Sequence, residues 1–362
     1  MLGKMKRYED SMKVWDEMIE SVDHCVPAYI HRQETAHELR NAQLVIDDYY
    51  NITRDLPQYA NAYCLAAKVF YIYNQLEDVK SVLARAKEAG VESDRLKIFE
   101  AKLLDHDDKW NEARKLYSEI EESIDAKESD VEDTADFYAD VASFLINTRE
   151  ESGERKYLYE VEKYLNKGFK TAPKNLRLLW IKTDLEEFRG NDADHLYDEM
   201  LGYYPSDDQI YYEYGEYLRR SDKLEKAKQM YKKCLEINPN HKVANNKLMN
   251  IYQQEYSDVE KPESYKEAVH YGGKQLELID DDFYRIERAL VYLDGYDLEK
   301  AKEDAEKAIE FRENNTYAHN ALGLYYLNKR DYDNALKCFE KAIEVMDDRE
   351  TPTPYINASR CL

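Results

Sequence analysis

Three residues near the start of the sequence are of types that can bind metals. His31, Glu34 and His37 are spaced three apart, so a helix would place them on one broad face. The metalloprotease pattern requires two histidines four residues apart with an adjacent glutamate, and this segment lacks it. We therefore interpret these histidines as surface or interface residues, and we predict no metal site in the chain.

An acidic run, Asp-His-Asp-Asp at 105–108, is similar to the start of a calcium-binding loop. The sixth place of such a loop needs glycine and the twelfth needs glutamate, but Trp110 and Leu116 stand there. We interpret the run as a turn between two helices.

The other motifs that carry catalysis are missing or incomplete. Gly272 and Gly273 are not accompanied by the lysine and serine of a phosphate-binding loop. No Gly-x-Ser-x-Gly elbow and no Cys-x-x-Cys pair occurs, and none of the 75 acidic residues stands out as a catalytic pair. We predict that the chain is not an enzyme and that it uses no cofactor.

The elements that position these residues follow from a repeat in the sequence. The segment Glu-Lys-Ala-Ile-Glu occurs at 306–310 and again, 34 residues later, at 340–344. Leu290 and Ala301 recur with the same offset as Leu324 and Ala335. A fixed period of this length is typical of solenoids built from helix pairs, in which neighbouring units stabilise one another.

The content of one unit, residues 316–346, identifies the repeat. Small residues stand at Gly323, Ala335 and Ala342, and large ones at Leu322, Tyr326, Tyr332 and Phe339. This pattern resembles the tetratricopeptide repeat (TPR). We expect the small residues where two antiparallel helices approach closely, with the aromatic rings packed beside them. The fold is predicted to be all-α, and the resemblance implies a right-handed superhelical α-solenoid of helix pairs.

The repeat extends over most of the chain. The same register fits residues 208–241, and the stretch 67–86 is echoed at 101–120. We predict a single TPR array over residues 1–362, with about nine complete units and a half unit at each end. Residues 125–133 lack apolar periodicity and are a possible hinge.

Composition limits the kinds of partner and the compartment. A net charge of −23 opposes binding to nucleic acid and to anionic membrane surfaces. No apolar run reaches the roughly 18 residues of a membrane span. The five cysteines are scattered and odd in number, which argues against a disulfide framework and favours a reducing compartment. We predict a cytoplasmic protein.

The resemblance also implies a binding surface, because in TPR proteins the first helices of the units line a concave groove that holds peptides. Transferring the register gives a predicted partner-binding set of Asn61, Lys68, Tyr71, Tyr212, Arg219, Asn246, Asn250, Gln253, Gln254, Tyr317, Asn320 and Asn328. Asn and Gln both donate and accept hydrogen bonds, which suits an extended peptide backbone. We predict that Asn246, Asn250 and Asn320 face solvent in the free array. The alternative is a polar helix face without a binding role.

One subgroup of TPR proteins uses a clamp of Lys, Arg and Asn to hold a C-terminal carboxylate. Only Asn250 matches that clamp here, and Glu287 adds a negative charge where cations are needed. We therefore do not expect an acidic C-terminal tail as the ligand. The expected ligand is a protein or peptide segment, and a basic segment suits the negative field to which Glu213 and Glu216 add.

Three functional hypotheses remain open. The first is a non-catalytic protein-interaction scaffold that binds a partner segment in the groove. The second is an interaction or regulatory arm of a larger protein, with a catalytic, chaperone or J-type domain outside this chain. It is favoured because both chain ends fall inside predicted helices without polar caps. The third is an enzyme in its own right. The sequence leaves the oligomeric state and the identity of the partner open.

Overall fold

The regular structure is helical throughout the described part of the chain. The computed structural model describes residues 2–22, 25–131, 133–148, 154–347 and 352–361, and within these ranges it contains no strand. In chain order the helices are α1 (Leu2–Ser21), α2 (Val26–Glu38), α3 (Ala42–Asp55), α4 (Ala60–Ile72), α5 (Leu76–Glu88), α6 (Asp94–His106), α7 (Trp110–Ala126), α8 (Thr134–Asn147), α9 (Glu154–Thr171), α10 (Leu176–Phe188), α11 (Asp194–Tyr203), α12 (Asp208–Arg220), α13 (Leu224–Ile237), α14 (Ala244–Val259), α15 (Pro262–Leu278), α16 (Asp282–Asp294), α17 (Leu298–Phe311), α18 (Thr316–Asn328), α19 (Tyr332–Glu344) and α20 (Thr353–Ser359).

The chain divides into two compact units, residues 1–192 and 193–362. In the first unit, α1 is followed by four antiparallel helix pairs, from α2–α3 to α8–α9, and then by α10. In the second unit, α11 is followed by four pairs, from α12–α13 to α18–α19, and then by α20. We call the even-numbered helices first helices and the odd-numbered helices second helices. The all-α repeat solenoid is confirmed, and the arrangement of both units in one array of about nine repeats stays a prediction.

Polar residues fix where many helices begin. The side chains of Asn175, Asp207, Asp281 and Asn315 each accept a hydrogen bond from a backbone N–H in the first turn of α10, α12, α16 and α18. The turn from a first to a second helix often contains one residue with positive φ. Asp108, with φ 58°, is such a residue between α6 and α7, so the interpretation of residues 105–108 as a turn is confirmed.

Close approach within the helix pairs depends on glycine and alanine. A Cβ atom at Gly323 would lie 2.4 Å from Cε1 of Phe339, and one at Gly215 would lie 2.6 Å from Cε1 of Tyr231. Ala335 is fully buried. These contacts confirm that small residues stand where the two helices of a pair meet.

One aromatic position differs from the prediction. Tyr332 occupies a packing position of the repeat, yet 49% of its surface is exposed. It is the first residue of α19, directly after the turn from α18, and its ring is not enclosed in the helix pair. The explanation of this tyrosine by packing is therefore wrong.

The segment predicted as a hinge makes contacts with the first unit. The carboxylate of Asp130 accepts hydrogen bonds from Ser93 Oγ at 2.5 Å, from Asp94 N at 2.8 Å and from Arg95 N at 3.2 Å. It thus supplies acceptors for the N-terminal turn of α6. Residue 132 lies outside the described residues, and hinge motion at 125–133 stays a prediction.

The structure can be compared with the predictions about disulfides and membrane spans. All five cysteines are described, and none of them forms a disulfide. Among the described helices, none combines the length and the apolar character needed to cross a membrane.

Candidate interaction surface on the first helices

Successive first helices contact one another within each unit. In the first unit α2 packs beside α4, α4 beside α6 and α6 beside α8, and in the second unit the same holds from α14 to α20. Lys247 on α14 also reaches Glu216 on α12, so the side chains of the first helices form a continuous strip along each unit. We call the strip formed by α12, α14, α16, α18 and α20 the first-helix face of the second unit.

Asn61 connects three first helices of the first unit. Its Nδ2 donates to Glu34 Oε1 on α2 at 3.3 Å, and its Oδ1 accepts from Arg95 Nη1 on α6 at 3.0 Å. Both the N–H donor and the oxygen acceptor of the Asn61 amide are thus hydrogen-bonded within the protein.

The other two predicted residues of α4 also contact neighbouring first helices. Lys68 is exposed, and its Nζ lies 3.3 Å from Nε2 of His37. Burial and the charge of Lys68 lower the pKa of His37. The ring of Tyr71 packs against Phe99, with 6.0 Å between ring centroids, and Lys102 Nζ lies 5.1 Å from its centre.

The two histidines of metal-binding type on α2 have different partners. His31 Nδ1 lies 3.5 Å from Glu34 Oε2, and its ring stacks on Trp15 with 4.9 Å between centroids. His37 is turned towards Lys68. These contacts support the interpretation of the histidines as interface residues.

In the second unit, a charged cluster surrounds Glu216 on α12. Arg219 Nη2 lies 3.1 Å and Lys247 Nζ 3.2 Å from Glu216 Oε2, and the Tyr231 hydroxyl donates to Oε1. Burial by itself would raise the pKa of Glu216, but hydrogen bonds from Arg219 and Tyr231 and the charge of Lys247 bring it below its usual value. The cluster connects α12 to α13 and to α14, so Glu216 is ionised and already neutralised by the protein.

Two side chains connect α14 to α16. Gln253 Nε2 donates to Asp294 Oδ2 at 2.7 Å, and the amide of Asn250 hydrogen-bonds to Glu287. The Oδ1 atom of Asn250 is buried and has no hydrogen-bond partner among the described residues. These amides therefore hold neighbouring repeats together and leave one acceptor unused.

The prediction that Asn246 and Asn320 face solvent is wrong. Their exposed fractions are only 7% and 9%. Asn320 Oδ1 accepts from Asn357 Nδ2 on α20 at 2.9 Å, so the next first helix covers it. Asn246 Oδ1 is buried and, like that of Asn250, lacks a partner within the described ranges. Adjacent first helices lie close enough to enclose the middle of each helix face.

The remaining predicted residues divide into exposed and half-buried ones. Exposed are Arg219, Gln254, Tyr317 and Asn328, with Tyr317 47% exposed at the start of α18. Tyr212 is half-buried against the ring of His241, with 4.7 Å between centroids, and burial raises its pKa to about 12. The structure thus places these residues on the first helices, as the register predicted, but only the exposed ones are open to a partner.

Sequence reasoning missed the side-chain pairs that join neighbouring first helices. Glu216 and Lys247 are separated by 31 residues, and Asn250 and Glu287 by 37. Both separations are close to one repeat period, so writing the units beneath one another would have placed these residues side by side.

Glu287→Gln is expected to stabilise the second unit at neutral pH. Burial raises the pKa of the Glu287 carboxyl, and the hydrogen bond from Asn250 opposes this only in part. Because the folded protein holds this proton more tightly than the unfolded chain, the contribution of Glu287 to stability falls as the pH rises through its folded pKa. The melting temperature of the variant should exceed that of the parent at pH 7, and the difference should shrink in acid.

The matched control is Glu310→Gln, which changes an exposed glutamate on α17. We expect its melting temperature to follow the parent at every pH. If the advantage of Glu287→Gln is the same in acid and at neutral pH, the burial of a charged carboxylate is not its cause.

Family models of known proteins match the second half of the chain. Residues 178–309 match the model described as the middle TPR-like domain of cilia and flagella-associated protein 70. Residues 316–346 match the model of the tetratricopeptide repeat itself. Together with the helix pairs and their 34-residue register, these matches confirm the resemblance to the tetratricopeptide repeat family over residues 178–309 and 316–346. A comparison with curated proteins gives no match.

Several solved structures are similar to this chain. YrrB, described as a TPR protein with an unusual peptide-binding site, is 23% identical over 46% of this chain and 81% of its own, with a TM-score of 0.37. MamA (41-end) from Desulfovibrio magneticus RS-1 is 21% identical over 48% of this chain and 97% of its own, with a TM-score of 0.42. A chain of the APC/C hetero-tetramer Cut9-Hcn1 is 12% identical over 97% of this chain and 67% of its own, with a TM-score of 0.44.

Proposed function

We propose that this chain is a non-catalytic protein-interaction scaffold that binds a segment of a partner protein along the first-helix face of its second unit. The observation that carries the proposal is Tyr317, a large aromatic side chain that is 47% exposed at a predicted groove position. Tyrosine offers a partner a flat apolar ring and a hydroxyl together, and it is frequent among residues that dominate interface energies.

Amides on the same face support an extended peptide as the ligand. Gln254 and Asn328 are exposed, and each can donate and accept hydrogen bonds at once. Asn250 Oδ1 has no hydrogen-bond partner in the described part of the chain, and Asn250 itself is half-buried. This oxygen is therefore an unused acceptor on the same face.

The charge of the face favours a basic segment. Glu216 is neutralised by Arg219 and Lys247, so the negative field comes from Glu213 and Glu287 and from the net charge of −23. Such a field speeds the association of basic partners and opposes nucleic acid and anionic membranes. A cytoplasmic location is part of the proposal, because five unbridged cysteines suit a reducing compartment.

The test compares two tyrosines of almost equal exposure. Tyr317→Ala combined with Asn328→Ala should weaken capture of the partner by about tenfold or more, as expected for loss of an aromatic anchor. The matched control is Tyr332→Ala, which removes an aromatic ring that is 49% exposed on the second helix α19. Partners are measured by quantitative capture from native cells and by photo-crosslinkers placed at positions 317 and 332.

A partner that crosslinks at 317 and not at 332, and that is lost only from the Tyr317 variant, supports the proposal. Equal capture by all three proteins, or loss only in Tyr332→Ala, would move the binding surface away from the first helices. The exposed residues are used because Asn246 and Asn320 are buried, and their replacement would disturb the packing of the repeats.

A further inference from the structure

Three side chains of metal-binding type meet in the second unit. One carboxylate oxygen of Asp208, the sulfur of Cys234 and one ring nitrogen of His241 lie within 4.8 Å of one another. They come from the start of α12, from α13 and from the turn before α14. Thiolate, imidazole and carboxylate are the ligands that Zn²⁺ takes in proteins.

The surroundings hold two of the three groups in place. Asn238 Nδ2 donates to Asp208 Oδ2 at 2.6 Å, and the ring of Tyr212 packs on the imidazole of His241. Metal ligands typically have outer partners of this kind, which fix their orientation. The arrangement therefore has both potential ligands and the contacts that orient them.

His241 is the group that points most directly to a ligand. Only 9% of its surface is exposed, and its Nδ1 atom is buried with no hydrogen-bond partner among the described residues. A buried ring nitrogen without a partner has a cost in free energy unless something else binds it.

The same helix pair occurs a second time in this unit, without the thiol of Cys234 and the imidazole of His241. Helices α16 and α17 repeat α12 and α13 with identical lengths, 74 residues later. There Asp282 keeps the place of Asp208, while Ala308 and Asn315 take the places of Cys234 and His241.

The second copy shows what the packing of the repeat requires. Asn315 Nδ2 donates to Asp282 Oδ2 at 2.8 Å, and its Oδ1 caps α18. The carboxylate is thus satisfied by this amide and by Arg312, whose Nε lies 3.0 Å from Asp282 Oδ2, and alanine fills the place inside the helix pair. Packing of the repeat therefore does not require a thiol or an imidazole at these positions. In the first copy both groups occur together beside Asp208, which corresponds to Asp282.

We propose that Asp208, Cys234 and His241 bind a divalent transition-metal ion, for which Zn²⁺ is the best match, and that the bound ion connects α12, α13 and α14. On binding, the Cys234 thiol releases its proton to solvent, and the thiolate, imidazole nitrogen and carboxylate oxygen become ligands. Ligand atoms in a tetrahedral zinc site lie about 3.5 Å apart, so small side-chain rotations complete the site. Asp208 is only partly buried, which leaves room for water as the fourth ligand.

The experiment titrates Co²⁺ into the full chain, prepared reduced, stripped of metal and without a histidine tag. We expect one equivalent to bind with the absorption of a cobalt–thiolate bond, and Zn²⁺ to displace it and raise the melting temperature. Cys234→Ala and His241→Asn introduce the residue types that the second copy has at these positions, Ala308 and Asn315, so both variants should fold. Each should weaken binding at least about tenfold and remove the zinc-dependent rise in melting temperature.

The matched control is Cys338→Ala, which removes a cysteine from α19, another second helix of the same unit. It should leave the cobalt spectrum and the zinc affinity unchanged. The proposal is overturned if the parent shows no saturable cobalt–thiolate absorption, or if that absorption survives Cys234→Ala. The parent titration alone is decisive should either ligand variant fail to fold, as judged by circular dichroism.

Discussion

Asp304→Ala is expected to lower the free energy of unfolding of the second unit by about 3–5 kcal/mol. The carboxylate of Asp304 accepts from Arg285 Nη1 at 2.7 Å and from Arg288 Nε at 2.7 Å and Nη2 at 2.9 Å. Only 2% of its side chain is exposed, and both guanidinium groups are mostly buried. Removing the acid leaves two buried cations with too few partners. Urea unfolding followed by circular dichroism measures the loss.

The control for this variant is Asp280→Ala. Asp280 also pairs with Arg285, at 2.7 Å, but 45% of its side chain is exposed. A partner as exposed as Asp280 contributes about 1 kcal/mol or less, and Arg285 keeps Asp304 when Asp280 is removed, so this variant should stay close to the parent. If the two variants lose equal stability, the burial of Asp304 does not determine its contribution.

The helices and their tight contacts could be predicted from the sequence because they depend on local periodicity. The repeat of small and large residues predicted that Gly323 and Ala335 mark close approach, and Phe339 does lie against Gly323. The 34-residue register also predicted which helix of each pair carries the groove positions. A repeat unit imposes the same packing at every copy, so one well-matched unit describes the others.

The burial and the hydrogen-bond partners of the individual groove residues could not be predicted in this way. The burial of Asn246 and Asn320 depends on the distance between neighbouring first helices, and the repeat pattern does not encode that distance. The contact between Asn320 on α18 and Asn357 on α20 joins two neighbouring repeats of the second unit. Side-chain partners across a repeat boundary are properties of a particular pair of units.

The cluster of Asp208, Cys234 and His241 was missed for a related reason. Cys234 stands where the last repeat has Ala342, so the repeat pattern by itself favours a packing role for it. The candidate metal ligands identified from the sequence, His31, Glu34 and His37, lie within one helix, whereas these three groups come from two helices and a turn. Comparing two copies position by position would have shown that cysteine and histidine replace alanine and asparagine together.

Phe339→Ala is expected to lower the free energy of unfolding of the second unit by about 3–5 kcal/mol. The ring is fully buried in the α18–α19 pair, and it fills the space that the missing side chain of Gly323 leaves. Replacing it by a methyl group removes its apolar contacts and leaves a cavity that the rigid helices cannot close. The loss is measured by urea unfolding and by hydrogen exchange in α18 and α19.

The pairing of Gly323 with Phe339 is tested by a double-mutant cycle. Gly323→Ala should destabilise the parent by about 1–3 kcal/mol, because its Cβ would lie 2.4 Å from the ring. In the Phe339→Ala background the same change should stabilise, since alanine favours a helix over glycine by about 1 kcal/mol. Gly273→Ala is the control: it lies within α15, where a Cβ would meet no atom within 4 Å, and it should stabilise in both backgrounds. If Gly323→Ala has the same effect with and without the ring, close packing against Phe339 is not the reason for glycine at this position.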